Sequence, residues 1–524
     1  MSSLARATAL MSAGTVLSRV TGLARLAAIT AALGVVETRL ADTYNFGNTA
    51  PNIIYEFLLG GILTSVFVPV FVELLEKEGR DSAWEVASAI INLSILFLGV
   101  MTVLGILAAP LLAKFYEVNV PGQQRALTLL LRLFIPQIMF YALAAITAGL
   151  LNAHKRFGPP TYTPILNNLT VIAVFLYFAS AYSEVDLASV TNQQLFLIGA
   201  GTTLGVVVMA LGQLPFLRGL GRYRLTFSVD HPSVRKLAGL SVFVVGYVMA
   251  NQVGYLIVQR LARGEKGAYT AYVAAFTFFQ LPYGIFAVSV ITALLPNMSE
   301  LAVHRRWDDF RLKLSNGLRA TVFLILPAAV GYMVLGAPIV RLLLQNGVAT
   351  SQSTELVASV LRVFVLGLVP FSMFQLLLRA FYATQDTRTP FLVNCAAVAI
   401  NIAANVALFG MLGVRGLAAG HAIGYTFGVV VQGLILSRRL GGLAMKALGG
   451  TAVKVAVASA GMGIAVWATY SAAESIVATD TLTGQATAVL APVLVGVAAY
   501  GGLAYLLRIE ELDAVRSLLG RRIP

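Results

Sequence analysis

Long apolar runs separated by short polar breaks constrain this chain more than any single motif does. They fall near residues 7–34, 40–74, 83–115, 124–153, 161–183, 193–218, 235–263, 268–302, 310–344, 354–384, 388–411, 413–437, 448–471 and 483–507. A helix needs about 20 apolar residues to cross the hydrocarbon core of a bilayer, and each run meets that length. The runs predict an all-α, polytopic membrane protein with about 14 transmembrane helices. Composition agrees: of 524 residues, 58% are hydrophobic and 11% charged, against about 25% charged in a soluble domain. Too few charges remain to solvate a water-facing surface, which excludes a soluble enzyme. No connector is long enough for a soluble domain, and the first run reads as a span rather than a cleavable signal.

A net charge of +14 in a soluble chain would suggest nucleic acid. Here no nucleic-acid partner is expected, because cytoplasmic loops of membrane proteins are rich in lysine and arginine. With the N-terminus inside, the inner loops hold Lys77, Arg80, Lys155, Arg156, Arg222, Arg224, Arg305, Arg306, Arg438 and Arg439, among others. The outer loops hold few: Arg39, Lys114, Arg125, Arg263, Lys266 and Arg415. Both termini are therefore expected in the cytoplasm. A lone cysteine, Cys395, and four scattered histidines point to no disulfide within the chain and no metal site.

The chain also repeats itself. VFVPVFVELLEKEGRDSAW, from Val66, pairs with TALLPNMSELAVHRRWDDF, from Thr292, so that Pro69, Glu73 and Asp81 fall on Pro296, Glu300 and Asp308. A second pairing sets NAHKRFGPPTYTPILNN against YATQDTRTPFLVNC and places Pro164 on Pro390. The expected organisation is a six-helix half over 1–220, a second over 221–441, and a final helix pair with a cytoplasmic tail over 442–524. An even number of helices per repeat keeps both halves in one orientation, which suits alternating access.

Polar side chains inside apolar runs mark the candidate site. Arg19 and Arg25, in TVLSRVTGLAR, sit deep in the first run, where an arginine costs at least about 2.5–3.5 kcal/mol and usually faces a cavity or a partner. Six residues apart, they lie about 120° apart around a helix and can line one broad wall. Glu56 in the second run can neutralise them or exchange a proton, and a structural salt bridge is an equal reading. Asn52 lies one turn before it and Asp42 near the outer end. Asn251 and Gln252, mid-run, are cavity candidates, though hydrogen bonding between helices explains them equally. Arg260 reads as interfacial, and the aromatic stretch from Phe276 as packing; Arg132 and Arg362, near the outer ends of related helices, either snorkel, the favoured reading, or serve as an outer anion contact. A cationic site with few carboxylates favours an anionic substrate, and paired guanidinium groups suit a diphosphate. No nucleotide-binding loop or catalytic constellation is visible, so neither catalytic residues nor cofactors are expected. Driving force would come from the membrane potential, at about 2.3 kcal/mol per charge per 100 mV, or from a monovalent cation.

The residues LSRVTGLAR, Asp42, Pro51–Asn52, SVFVPVF, LNAHKRFGPPTYTPILNN and FYATQDTRTP together resemble the MurJ/MviN family of peptidoglycan lipid II flippases, over nearly the whole chain. The resemblance implies movement of lipid II, an undecaprenyl diphosphate carrying a disaccharide-pentapeptide, from the inner to the outer leaflet of the bacterial cytoplasmic membrane. It implies diphosphate contacts for Arg19 and Arg25, an acidic cavity residue at Asp42, and a lipid-tail groove on the last two helices. Membrane lipids and cell-wall synthesis proteins are the further partners it suggests. The chain departs from the family at Tyr55 and Glu56, where many members carry a basic pair, and at Thr277, where many carry arginine; Arg260 or Arg132 would have to compensate. The rival readings are a flippase for another undecaprenyl-diphosphate saccharide, a cation-coupled drug exporter and a non-transporting scaffold.

Overall fold

A computed structural model describes residues 3–58, 71, 74–75, 77–116, 120–182, 185–227, 232–443, 445–477 and 481–512. The side chains of 3–12, 54–58, 232–242, 244 and 445–446 lie outside the described residues. Among the described residues, each apolar run forms a helix or a broken helix, since a helix satisfies every backbone polar group within its own segment. In order these are α1 (Ser3–Leu33), α2 (Arg39–Leu58), α3 (Arg80–Tyr116), α4 (Gln123–Phe134), α5 (Gln137–Ala153), α6 (Gly158–Ala181), α7 (Asn192–Leu211), α8 (Pro232–Ala262) and α9 (Ala268–Pro282). They continue with α10 (Val288–Val303), α11 (Trp307–Leu344), α12 (Ser351–Leu366), α13 (Leu368–Ala383), α14 (Arg388–Leu412), α15 (Val414–Arg439), α16 (Met445–Ile476) and α17 (Leu482–Leu506). Among the described residues, 11 spans are long and apolar enough to cross a bilayer, and a bent pair makes 12. The other two runs expected to cross are α2, whose run is described only in part, and α8, whose first side chains lie outside the described residues.

Three runs are interrupted where a proline removes a backbone donor. Pro136 separates α4 from α5. Pro282 is followed by a π-helical turn, Tyr283–Ala287, before α10. Pro370 follows Gly367, where α12 and α13 meet at 49°; a Cβ on Gly367 would stand 2.9 Å from the Ala422 backbone of α15, so only glycine allows that approach.

The element order carries the repeat. α3 and α11 are 37 and 38 residues long, and Asp81 and Asp308 both sit in their first turns. Lys155 and Gln385 both adopt φ 60 and close α5 and α13 by the same device: Arg156 N donates to Leu151 O at 2.8 Å and Asp386 N to Phe381 O at 3.0 Å. That landmark shifts the second pairing, because an offset of 230 places Pro160, not Pro164, on Pro390. Sequence identity alone had slipped the register by one helical turn. Pro69 and Glu73 lie outside the described residues.

Packing clusters the chain into two compact units, Met1–Thr270 with Asn346–Ala349, and Ala271–Gln345 with Thr350–Pro524. The first is organised around Ala28, Leu33, Leu40, Tyr44, Phe134, Phe175, Phe178 and Ile198. In the second, Phe310, Leu314, Leu376, Phe381 and Leu436 pack together, and α16 and α17 lean on α11 through Val322, Phe323, Val455, Ala458 and Ala504. The outside is apolar: Leu96, Phe97, Leu107 and Leu111 of α3 are 57–71% exposed. Such a surface in water would be an aggregation liability; hydrocarbon is its natural solvent.

Candidate substrate site

The candidate residues gather in the first unit, where α2 packs between α1 and α8. α6 holds α1 at the arginine motif, since Asn168 Nδ2 donates to Ser18 O at 3.2 Å and to Thr21 Oγ1 at 3.0 Å. Gly22 faces the same asparagine, with room for a Cβ at 3.8 Å. Arg19 and Arg25 are half-buried. Neither makes a hydrogen bond or an ion pair among the described residues. Arg25 does lie within electrostatic range of the Tyr44 and Tyr141 hydroxyls. Tyr44 is held rigid: its hydroxyl shares a 2.9 Å hydrogen bond with Thr202, and its ring meets Phe134 and Phe175 edge-on.

Asp42 is engaged by protein. Its buried carboxylate accepts from Gly267 N at 2.7 Å, Thr270 N at 3.0 Å and Thr270 Oγ1 at 2.7 Å. It thereby caps the first turn of α9, where unpaired amides favour an anion. Three residues earlier, Arg39 donates to the carbonyls of Arg263 and Gly264 at 3.1 and 3.2 Å, beyond the end of α8. One turn of α2 therefore grips both ends of the α8–α9 loop, with each charge opposite the helix end it complements.

Asn52 donates to Asn48 O at 2.8 Å within its own helix, next to Pro51, which supplies no donor of its own. Asn48 Oδ1 beside it is buried without a partner, a polar atom the sequence reading did not single out. Asn251 donates to Tyr247 O at 2.8 Å, and Gln252 is half-buried on the same helix. Glu56 belongs to α2, but its side chain lies outside the described residues. Arg260 is exposed and donates to Phe115 O at 3.2 Å, with its guanidinium 5.5 Å from the Phe115 ring; Arg263 donates to the same carbonyl at 2.9 Å. Both complement the C-terminal end of α3. Thr277, where the resemblance implied a missing arginine, donates to Val273 O of its own helix at 2.9 Å.

A buried network lies beneath the loop. Tyr116 OH donates to Gln259 Oε1 at 2.7 Å, Gln259 Nε2 donates to Tyr269 OH at 2.8 Å, and that hydroxyl meets Thr49 Oγ1 at 2.8 Å and Tyr255 OH at 3.2 Å. Phe46 is stacked between Tyr116 and Tyr269, at 5.1 and 4.5 Å. Gln259 and Tyr269 carried no sequence signal, because each looks like an ordinary polar residue near a helix end.

The sequence model of the lipid II flippase MurJ family matches residues 29–483. The chain belongs to the MurJ family. It is 28% identical over 516 residues to a probable lipid II flippase MurJ of Rhizobium tropici, covering 97% of this chain and 95% of that one. It is likewise 28% identical over 510 residues to a probable lipid II flippase MurJ of Thermotoga maritima, covering 96% and 97%. Among solved structures, a lipid II flippase MurJ in an inward closed conformation superposes with TM-score 0.76 at 23% identity, over 95% of this chain and 99% of that one. A multidrug-resistance MATE-family transporter of the MOP superfamily follows at 0.66 and 14%, over 80% and 94%. The fold is thus that of the MurJ and MATE transporters, and as a MurJ-family member the chain is a multi-pass membrane transporter rather than an enzyme.

Proposed function

We propose that this protein moves lipid II from the inner to the outer leaflet of the bacterial cytoplasmic membrane, with both termini in the cytoplasm. The observation that carries the reading is Arg19 and Arg25: two half-buried guanidinium groups on one span, unpaired among the described residues. Such charges inside a membrane are costly, and a diphosphate offers each a bidentate partner. Family membership supports the choice of an undecaprenyl-diphosphate lipid. Asn48, Asn52, Asn251 and Gln252 would meet the uncharged, hydrogen-bonding part of the headgroup. Asp42 acts through the α8–α9 loop and does not touch substrate.

The two repeats would alternate access to the arginine pair, and outward transfer of a headgroup carrying about two negative charges is favoured by an inside-negative potential. Glu56 or a monovalent cation would compensate the arginines on the return step.

The test is lipid II translocation in proteoliposomes under an imposed potential, with Arg25→Ala and Arg19→Ala beside the native chain. Potential-dependent flipping that both variants lose supports the reading. Flipping of an uncharged lipid-linked sugar at the same rate, or full activity in both variants, overturns the diphosphate contact. A preference for another undecaprenyl-diphosphate saccharide, or export of organic cations, would transfer the assignment to a rival reading.

A further inference from the structure

The end of α4 carries a feature the proposed transport step does not use. Gln124, Arg125, Thr128, Leu129 and Arg132 line one face of α4 and, with Asn192 at the start of α7, enclose an open cleft of about 380 Å³. Arg125 and Arg132 are seven residues apart, two turns along the same face. Arg125 spends one N–H on Val190 O. Arg132 is exposed and makes no hydrogen bond or ion pair among the described residues. No carboxylate lines the cleft. Four of its other five walls therefore present side-chain donors around an uncompensated positive charge.

The second repeat is an internal comparison. At the offset of 230 that aligns LLRLF with VLRVF, Arg132 corresponds to Arg362 and Arg125 to Glu355. Leu129 corresponds to Ser359, and Ser359 Oγ accepts from Arg415 Nε at 2.9 Å. The second copy thus has an acid in place of one arginine, and a local arginine already bonded on that face. The first copy keeps two arginines and an open cleft.

Its surroundings select the ligand. In the proposed topology α4 begins at the outer face, where basic residues are sparse, so paired arginines there are not accounted for by orientation. One turn beyond Asn192, Phe196 is 58% exposed, and Leu204 further along α7 is 51% exposed. A polar, cationic cleft above an apolar helix face matches an amphiphile: phosphate in the cleft, acyl chains along α7.

We propose that this cleft is a binding site for the phosphodiester headgroup of an anionic phospholipid in the outer leaflet. Arg132 and Arg125 hold the phosphate oxygens, while Gln124, Thr128 and Asn192 bond the glycerol and ester oxygens. The assignment depends on the outer placement of this end of α4, and not on the identity of the transported substrate.

The experiment is native mass spectrometry of the purified full-length chain, titrated with phosphatidylglycerol or with phosphatidylcholine. The native chain should retain phosphatidylglycerol preferentially. In R125A/R132A that preference should fall by about thirtyfold, the factor for two arginines at an anionic surface. R125E, which copies the second repeat, should lose it as well, whereas R362A should keep it. All three positions are exposed, and a thermal melt of each variant in detergent confirms folding. Equal retention in R125A/R132A, or an equal loss in R362A, overturns the proposal. Displacement of the lipid by millimolar inorganic phosphate would make the cleft a free-anion site and overturn the lipid assignment. Loss of lipid II flipping with phosphatidylglycerol retention intact would bear on the transport reading alone.

Discussion

Asp42 and Thr270 are 228 residues apart in sequence and joined by two hydrogen bonds, from the Thr270 amide at 3.0 Å and its hydroxyl at 2.7 Å. With Gly267 N as the third donor, the carboxylate is consumed by the first turn of α9. Asp42→Ala leaves three buried donors without an acceptor, at about 1–3 kcal/mol each before relaxation. It should lower unfolding stability by about 3 kcal/mol, read as a drop in melting temperature of the purified chain. Thr270→Val should cost about 1 kcal/mol. An Asp42→Ala protein that melts normally yet fails to transport would instead make Asp42 a substrate contact.

Arg25→Ala should behave in the opposite way. The guanidinium makes no hydrogen bond or ion pair among the described residues, so its removal should leave the melting temperature within about 1 °C while transport falls at least about tenfold, equivalent to one charge-assisted contact. Arg25→Lys should recover part of that loss, because a point charge replaces a bidentate fork. A destabilised Arg25→Ala protein would mark the residue as structural.

The Gln259 network should be measurable by single deletions. Tyr269→Phe removes the hydroxyl that accepts from Gln259 and meets Thr49, at about 1–2 kcal/mol. Gln259→Leu breaks bonds to two tyrosines and should cost more. Additive losses in the double variant would argue against a connected network.

Asp386, between α13 and α14, supplies a pH dependence outside the membrane spans. Burial alone would push its carboxyl up. The bonds from Thr389 and Arg439, with the Arg439 charge, outweigh that and hold it below the usual carboxylate range. A depressed folded value means the contribution is complete above the unfolded value of about 3.9 and is lost as pH falls through the folded one. Native and Asp386→Asn proteins should therefore differ by about 1 kcal/mol at pH 7 and converge in acid. A difference that grows below pH 4 would contradict the sign.

Gly347 should resist substitution. Its φ is +62, and a Cβ there would lie 2.2 Å from Ala31 O, where the next residue, Val348, donates through its amide at 3.0 Å. Gly347→Ala should destabilise the chain by about 2 kcal/mol, measured by the same thermal melt.

The helices were legible in the sequence because the drive into a bilayer is local and additive. A run of about 20 apolar residues is sufficient by itself, and most of the described ends fall within a few residues of the expected ones. The repeat was legible for a similar reason, although its register required the paired left-handed residues Lys155 and Gln385. Arg19 and Arg25 stood out because charge in hydrocarbon is costly wherever it occurs. Partners were not legible. Asp42 looked like a cavity acid until Gly267 and Thr270 took its oxygens, and Arg125 and Arg132 gained meaning only from the cleft that α7 completes. Local hydropathy determines which segments enter the membrane; contacts between residues far apart in sequence, set by how the helices pack, decide which of their polar groups remain unpaired.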